Sequence, residues 1–201
     1  MNPRVNDFTI NIATANGTGS QSANLVILHS MYEMGVPVSG KNLFPSNISG
    51  LPTWFIIRAS DAGYQAPGDY THIQIMMNKD TWQKDLNKLD PGTVVIYNQD
   101  TKLPVDREDC ILLGMPMTKM ARKISPKMAK LMANMYYVGA LAHILKIDQE
   151  AIRKAISQQF GGKEKAIEWN MQAISEGREY AKEYWDYESE YLVEEREKDP
   201  N

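Results

Sequence analysis

The chain has 201 residues, 43% of them hydrophobic, and a formal net charge of −3. That length suffices to bury one core, and the charge balance excludes a general nucleic-acid binder, which needs a dominant basic surface. No run of about 18 apolar residues reaches bilayer length, and no apolar signal segment follows Met1-Asn2-Pro3-Arg4, so a cytoplasmic chain away from membranes is expected.

Phe8, Ile10 and Ile12 alternate with Thr9, Asn11 and Ala13, the period of a strand with one apolar face. A glycine-rich loop follows at once, Asn16-Gly17-Thr18-Gly19-Ser20, and Ala23, Ile27, Leu28, Met31 and Met34 then recur at helical spacing up to Gly35. Val36-Pro37-Val38 reads as a second short strand. Residues 39–52, polar and punctuated by Gly40, Pro45, Gly50 and Pro52, read as a long functional loop.

Trp54–Ile57 resumes as a strand, a turn is expected at Asp61-Ala62-Gly63, and His72–Met77 forms another strand. Trp82, Leu86 and Leu89 mark a helix capped by Asn78 or Asp80, and Asp90-Pro91-Gly92 is a turn. Thr93–Tyr97 and Cys110–Leu113 complete a set of buried strands. This alternation predicts an α/β fold, a three-layer, largely parallel sheet covered on both faces, with the glycine-rich loop after its first strand.

A C-terminal helical region begins beyond Pro116. Met128, Leu131, Met132, Met135, Val138, Ala142 and Leu145 make one apolar stripe, Asp148 caps a helix carrying Ile152, Ala155, Ile156 and Phe160, and Gly161-Gly162 ends it. From Lys163 to about Lys198 a single long helix is expected, with Ile167, Met171, Ile174, Ala181, Trp185 and Leu192 along it. Residues 183–199 hold eight acids against two bases, so 1–182 is taken as the domain and 183–201 as an acidic helical arm or linker.

The first loop carries the chemistry. At the junction of a strand end and a helix N-terminus, backbone N–H groups and the helix dipole favour an anion, and glycine admits a ligand close to the backbone. A dinucleotide fingerprint would put glycine at position 22 and an acid after the next strand; Ser22 and Ser39-Gly40-Lys41 stand there, which turns the loop away from nicotinamide cofactors. Gly35-x-x-x-x-Gly40-Lys41 imitates a P-loop but ends in Asn42, where a magnesium-binding Ser or Thr belongs. A tight turn that only packs the helix is the competing reading of the first loop, and a solvated lysine that of Lys41.

His29, His72 and His143 lack the spacing of a helical metal site, so no metal is expected. No serine occupies a Gly-x-Ser-x-Gly elbow, and Cys110, the single cysteine, reads as an inert thiol in a buried strand, so no catalytic residue is assigned. One thiol also excludes an internal disulfide and the ligand set of an iron–sulfur cluster.

The runs NDFTINIATANGTGSQSAN, MGVPVSGKNLFPSNISGLPTWFIIRAS and KMANMYYVGALAHILKID resemble the gamma domain of 2-oxoacid:ferredoxin oxidoreductases. The resemblance extends from about residue 6 to 180, and the middle run is most similar to the 2-oxoglutarate type. It implies a non-autonomous component of an enzyme that oxidatively decarboxylates a 2-oxoacid to an acyl-coenzyme A and passes electrons to ferredoxin. Thiamine diphosphate and iron–sulfur clusters would then sit on partner domains, of alpha and beta type. The resemblance also implies that this domain contributes to coenzyme A binding and active-site closure, through Asn16, Gly17, Thr18, Gly19 and Ser20 with Lys41, Asn42, Ser46 and Asn47. Two other readings stay open: a structural module bridging the partner chains, and an independent nucleotide-binding protein.

Overall fold

The structure, a computed structural model, describes residues 3–45, 48–64, 66, 70–104 and 106–197. A six-stranded sheet forms its centre, in the order β3 (Val38–Leu43), β4 (Pro52–Ser60), β2 (Asp7–Ala15), β5 (Ile73–Met76), β6 (Val94–Asn98), β7 (Ile111–Met115). The run β2-β5-β6-β7 is parallel, and β4 pairs antiparallel with both β2 and β3. Helix α1 (Ser20–Glu33) connects β2 to β3, and the short α2 (Trp82–Leu86) connects β5 to β6.

Register sorts the side chains by period two. Phe8, Ile10, Ile12, Phe55, Ile57, Ile73, Ile75, Val94 and Ile96 all enter the main core, where the helices cover the sheet. The opposite face is covered more thinly: Trp82, Leu86 and Leu89 pack on Met76 and Val95 in a smaller cluster over β5 and β6. Across β3, β4, β2 and β5 that face presents Lys41, Ile56, Asn11 and Gln74 in one register row, with Leu43 and Trp54 in the next. A cleft of about 760 Å³ lies over these rows.

The helical layer continues with α3 (Met117–Ile124), α4 (Ala129–Ile144), α5 (Gln149–Phe160) and α6 (Glu164–Tyr184). Asp148 caps α5 as its sequence position demands, accepting from Ala151 N–H at 2.9 Å. Helix α4 is buried on almost every side; the Tyr137 hydroxyl donates to Asn24 at 2.8 Å and the Tyr136 hydroxyl to Glu176 at 2.6 Å. Gly139 and Gly177 let α4 and α6 cross backbone to backbone, since a Cβ at either would run into the main chain of the other helix.

Several expectations from the sequence are corrected. The strand read at Val36-Pro37-Val38 begins at Val38, because Pro37 has no N–H for the ladder; its carbonyl accepts instead from Ser60 N–H at 3.0 Å. Five of the fourteen residues of the supposed loop 39–52 belong to this strand, polar because it is an exposed edge. Thr81, rather than Asn78 or Asp80, precedes α2, its hydroxyl donating to Asp85 at 2.6 Å. Cys110 lies just before β7, partly exposed, and burial still pushes its thiol pKa up, which keeps it protonated and unreactive.

The largest correction concerns the C-terminal segment. The helix expected to reach about Lys198 ends at Tyr184, and residues 185–197 run extended along the body as a strap. Its β8 (Tyr191–Leu192) pairs in parallel with β1 (Arg4–Val5). Asn6, buried and with φ 51°, exchanges two 3.0 Å side-chain bonds with the backbone of Glu194. Val193 and Arg196 N–H groups donate to the Leu145 and Met34 carbonyls at 2.8 Å. Trp185, Tyr187, Ser189, Tyr191 and Val193 alternate with more exposed residues, a period-two pattern hidden by the acids around it. Those acids repel one another at helical spacing and are relieved when the chain extends.

Candidate functional site

Parallel strands bring their carboxyl ends to one edge of the sheet, where α/β folds place ligands. Here the ends of β2, β5 and β6 meet the loop that leads into α1 and the starts of α3 and α4 around a cleft of about 500 Å³. Asparagines set its walls. Asn78, following β5, donates to the Thr14 carbonyl at 3.2 Å and accepts from Asp80 N–H at 3.0 Å. Asn98, ending β6, donates to the Thr118 hydroxyl at 2.9 Å and accepts from Met117 N–H at 3.2 Å, tying β6 to α3. Asn134 of α4 donates to the Thr18 carbonyl at 2.6 Å and so fixes the glycine-rich loop.

That loop has the conformation its glycines permit. Gly17 and Gly19 sit at φ 78° and 79°, the left-handed region that other residues enter at a cost. Gly19 is the N-cap of α1, and because glycine has no side chain to cap with and no acid occupies the first turn, no side chain among the described residues caps the amide donors there. Loop 48–51 clasps the loop from outside: Asn16 N–H donates to the Leu51 carbonyl and Gly50 N–H to the Asn16 carbonyl, both at 2.8 Å. A Cβ on Gly17 would stand 2.6 Å from the Ser49 hydroxyl.

Charge completes the cleft. Lys79, Arg122, Lys127 and Lys130 line it and are exposed, against the single carboxylate of Asp80. Among the described residues none of these four cations is held in an ion pair. Four cations beside the loop that leads into α1 have the chemistry that suits a multiply charged anion. Among the described residues no cluster of three His, Cys, Asp or Glu is built to hold a metal ion. No helix among them is long and apolar enough to cross a membrane.

The residues expected from the sequence fall into three groups. Asn16, Gly17, Thr18, Gly19 and Ser20 form the loop at the cleft, with Thr18 in its lining and Ser20 turned inward to accept from the Thr14 hydroxyl at 2.9 Å. Lys41 and Asn42 lie on β3, two strands across from β2, and Lys41 is level with Asn11 rather than with the strand end. That offset is on the order of 10 Å across the sheet and 13 Å along it. Ser46 and Asn47 lie outside the described residues. The asparagines and the cations of α3 and α4 were not singled out from the sequence, although a signal exists: an asparagine follows two of the parallel strands, and five Lys/Arg with no acid lie between Met117 and Ala133.

Comparison with known proteins follows the fold. The chain is 22% identical to the alpha subunit of 2-oxoacid:ferredoxin oxidoreductase 2 from Aeropyrum pernix, over 88% of this chain and 34% of that protein. It is also 22% identical to the ketoisovalerate oxidoreductase subunit VorA of Methanothermobacter thermautotrophicus, over 90% of this chain and 38% of that one. The chain therefore spans little more than a third of these curated relatives. Among solved structures, 2-oxoglutarate:ferredoxin oxidoreductase from Magnetococcus marinus, with 2-oxoglutarate, coenzyme A and succinyl-CoA bound, superposes with a TM-score of 0.85. It is 24% identical and is matched over 96% of this chain and 34% of that one. The gamma subunit of a keto/oxoacid ferredoxin oxidoreductase from Geobacter sulfurreducens superposes at 0.70, with 19% identity, over 87% of this chain and 98% of its own. The family profile described as pyruvate ferredoxin/flavodoxin oxidoreductase matches residues 9–180, and the chain belongs to that family.

Proposed function

We propose that this chain is the gamma component of a 2-oxoacid:ferredoxin oxidoreductase, 2-oxoglutarate being the substrate we favour, and that its cationic cleft receives the phosphates of coenzyme A. The observation that carries the reading is the meeting of four cations with Thr18 of the glycine-rich loop, just ahead of α1, at the carboxyl ends of the parallel strands. Coenzyme A carries phosphates at both ends of its ribose, and it is bound in the Magnetococcus marinus oxidoreductase that shares this fold.

On this reading the chain does no bond-breaking. Thiamine diphosphate and iron–sulfur clusters, supplied by alpha- and beta-type partner domains, carry out decarboxylation and electron transfer to ferredoxin. The residues of this domain hold the acyl acceptor. Gly17 to Ser20 supply backbone donors, Asn16 anchors the loop, Arg122, Lys127 and Lys130 neutralise phosphate charge, and Ser46 and Asn47 are proposed as further contacts. Lys41 and Asn42, on β3, are given no phosphate contact.

Titrating coenzyme A into the assembled enzyme tests this. Lys127→Ala with Lys130→Ala is expected to weaken binding by about tenfold or more, with thiamine diphosphate content unchanged. Unaltered affinity in that double variant removes the cleft from the site and leaves a bridging role between partner chains.

A further inference from the structure

We infer that the chain carries a second, separate ligand site, a pocket between α1, α4, α5 and α6 that takes a small apolar molecule bearing one carboxamide or similar carbonyl end. The N-terminal half of α4 divides it from the cationic cleft. Ala129, Lys130, Ala133 and Asn134 face the cleft, while Met128, Leu131, Met132 and Met135 face the pocket. Phe160 and Trp169 contribute aromatic walls, and the volume of the pocket is about 160 Å³.

Two polar groups break this apolar lining. Asn170 is 8% exposed, lines the pocket, and among the described residues its carboxamide has no hydrogen-bond partner. The first turn of α1 borders the same space through Gly19 and Ser22; the Ser22 hydroxyl accepts from Gln159 at 3.3 Å and keeps its own proton for a ligand. Asn170 thus borders a space otherwise lined mainly by thioethers, aromatic rings and Leu131.

The lining fixes the ligand class. A dry cavity of about 150 Å³ holds a benzene ring, so an occupant has roughly that size. Methionines adapt their shape to a ring and make favourable contacts between sulfur and its edge. A carboxamide at one end pairs with both halves of the Asn170 amide, and its carbonyl oxygen lies where the α1 dipole favours partial negative charge. The pocket shares the first turn of α1 with the coenzyme A reading, but its test reads Asn170 and Ala166, which that reading does not use, so the two failures are distinguishable.

Benzamide is the probe, with toluene as the ring lacking a polar end. Titration into the 201-residue chain labelled with ¹³C-methyl methionine is expected to show saturable benzamide binding that shifts the Met132 and Met135 methyl signals. Asn170→Leu should weaken benzamide by about tenfold while leaving toluene within about twofold. Ala166→Phe, which fills the pocket from its rim, should abolish both. Absence of saturable binding to the native chain, binding that survives Ala166→Phe, or benzamide affinity in Asn170→Leu within about twofold of native overturns the site.

Discussion

The two ends of the sheet are built in opposite ways. At the end where β2 begins, the strap 185–197 spends its backbone donors on the body: β8 pairs with β1, and Asn6, Leu145 and Met34 each hold a strap residue. Aromatic packing seals it, with Tyr191 set edge-on to His72 at 5.2 Å and near Phe8 at 6.0 Å. At the end where β2 stops, the α1 amides lack a side-chain cap and four cations face a cleft. One end uses its hydrogen-bonding capacity for stability. The other leaves it uncapped, and on the proposed reading keeps it for a ligand, so substitutions at the two ends should separate folding from binding.

The closed end should show the largest stability effect. Gly35 has φ 75° and lies under the strap so closely that a Cβ would meet the Arg196 carbonyl. Gly35→Ala is expected to cost about 3 kcal/mol, through both backbone conformation and displaced strap, as measured by urea denaturation. A loss below about 0.5 kcal/mol would show that the strap contributes little.

A smaller effect at the same end follows from pH. His72 accepts from Thr9 N–H at 2.9 Å and faces Arg4 at 2.8 Å; burial, then the Arg4 charge, lower its pKa from 6.5 to about 4. The unfolded chain therefore takes up a proton before the folded one. Stability is full above pH 6.5 and falls as pH drops towards 4, by roughly 2 kcal/mol once partial solvent screening of the ring is allowed for. Denaturation curves at neutral and acid pH should show this slope in the native chain and a flatter one in His72→Gln; equal slopes would place the acid sensitivity elsewhere.

The smallest stability effect belongs to the open end. Arg122→Ala, Lys127→Ala and Lys130→Ala are each expected to change stability by no more than about 0.5 kcal/mol, because exposed cations without ion-pair partners contribute little to folding. Removing all three should even be mildly stabilising at low salt, by relieving like-charge repulsion. A marked loss in thermal melts would mean that these residues hold the fold rather than await an anion.

How far this arrangement was legible in the sequence depends on the kind of signal. Phe8, Ile10 and Ile12 announced a strand, Asp148 a cap and Gly19 a loop with amides to spare, because period, capping and glycine are local properties. The edge strand Val38–Leu43 was hidden by its polarity, since an exposed edge has no buried face to advertise. Tyr191 and Val193 carried the strand period but stood among acids, and their partners lie far away in sequence, at Arg4 and Leu145. The cleft was half legible: the sequence pointed to the loop that contributes Thr18, whereas Asn98, Asn134 and Arg122 reach the same cleft only when three separate segments converge. Lys41, grouped with the loop by its sequence neighbourhood, is set apart by the register of two antiparallel pairings.

The most direct test uses adenosine 3′,5′-bisphosphate, which carries phosphate without the pantetheine arm of coenzyme A. In calorimetric titration of the assembled enzyme, Arg122→Glu should weaken this compound by about tenfold or more, with a steep dependence on salt, while Lys41→Glu leaves it unchanged. Weakening by Lys41→Glu alone, with Arg122→Glu binding as the native enzyme does, would contradict the assignment of the phosphates to the open end of the sheet.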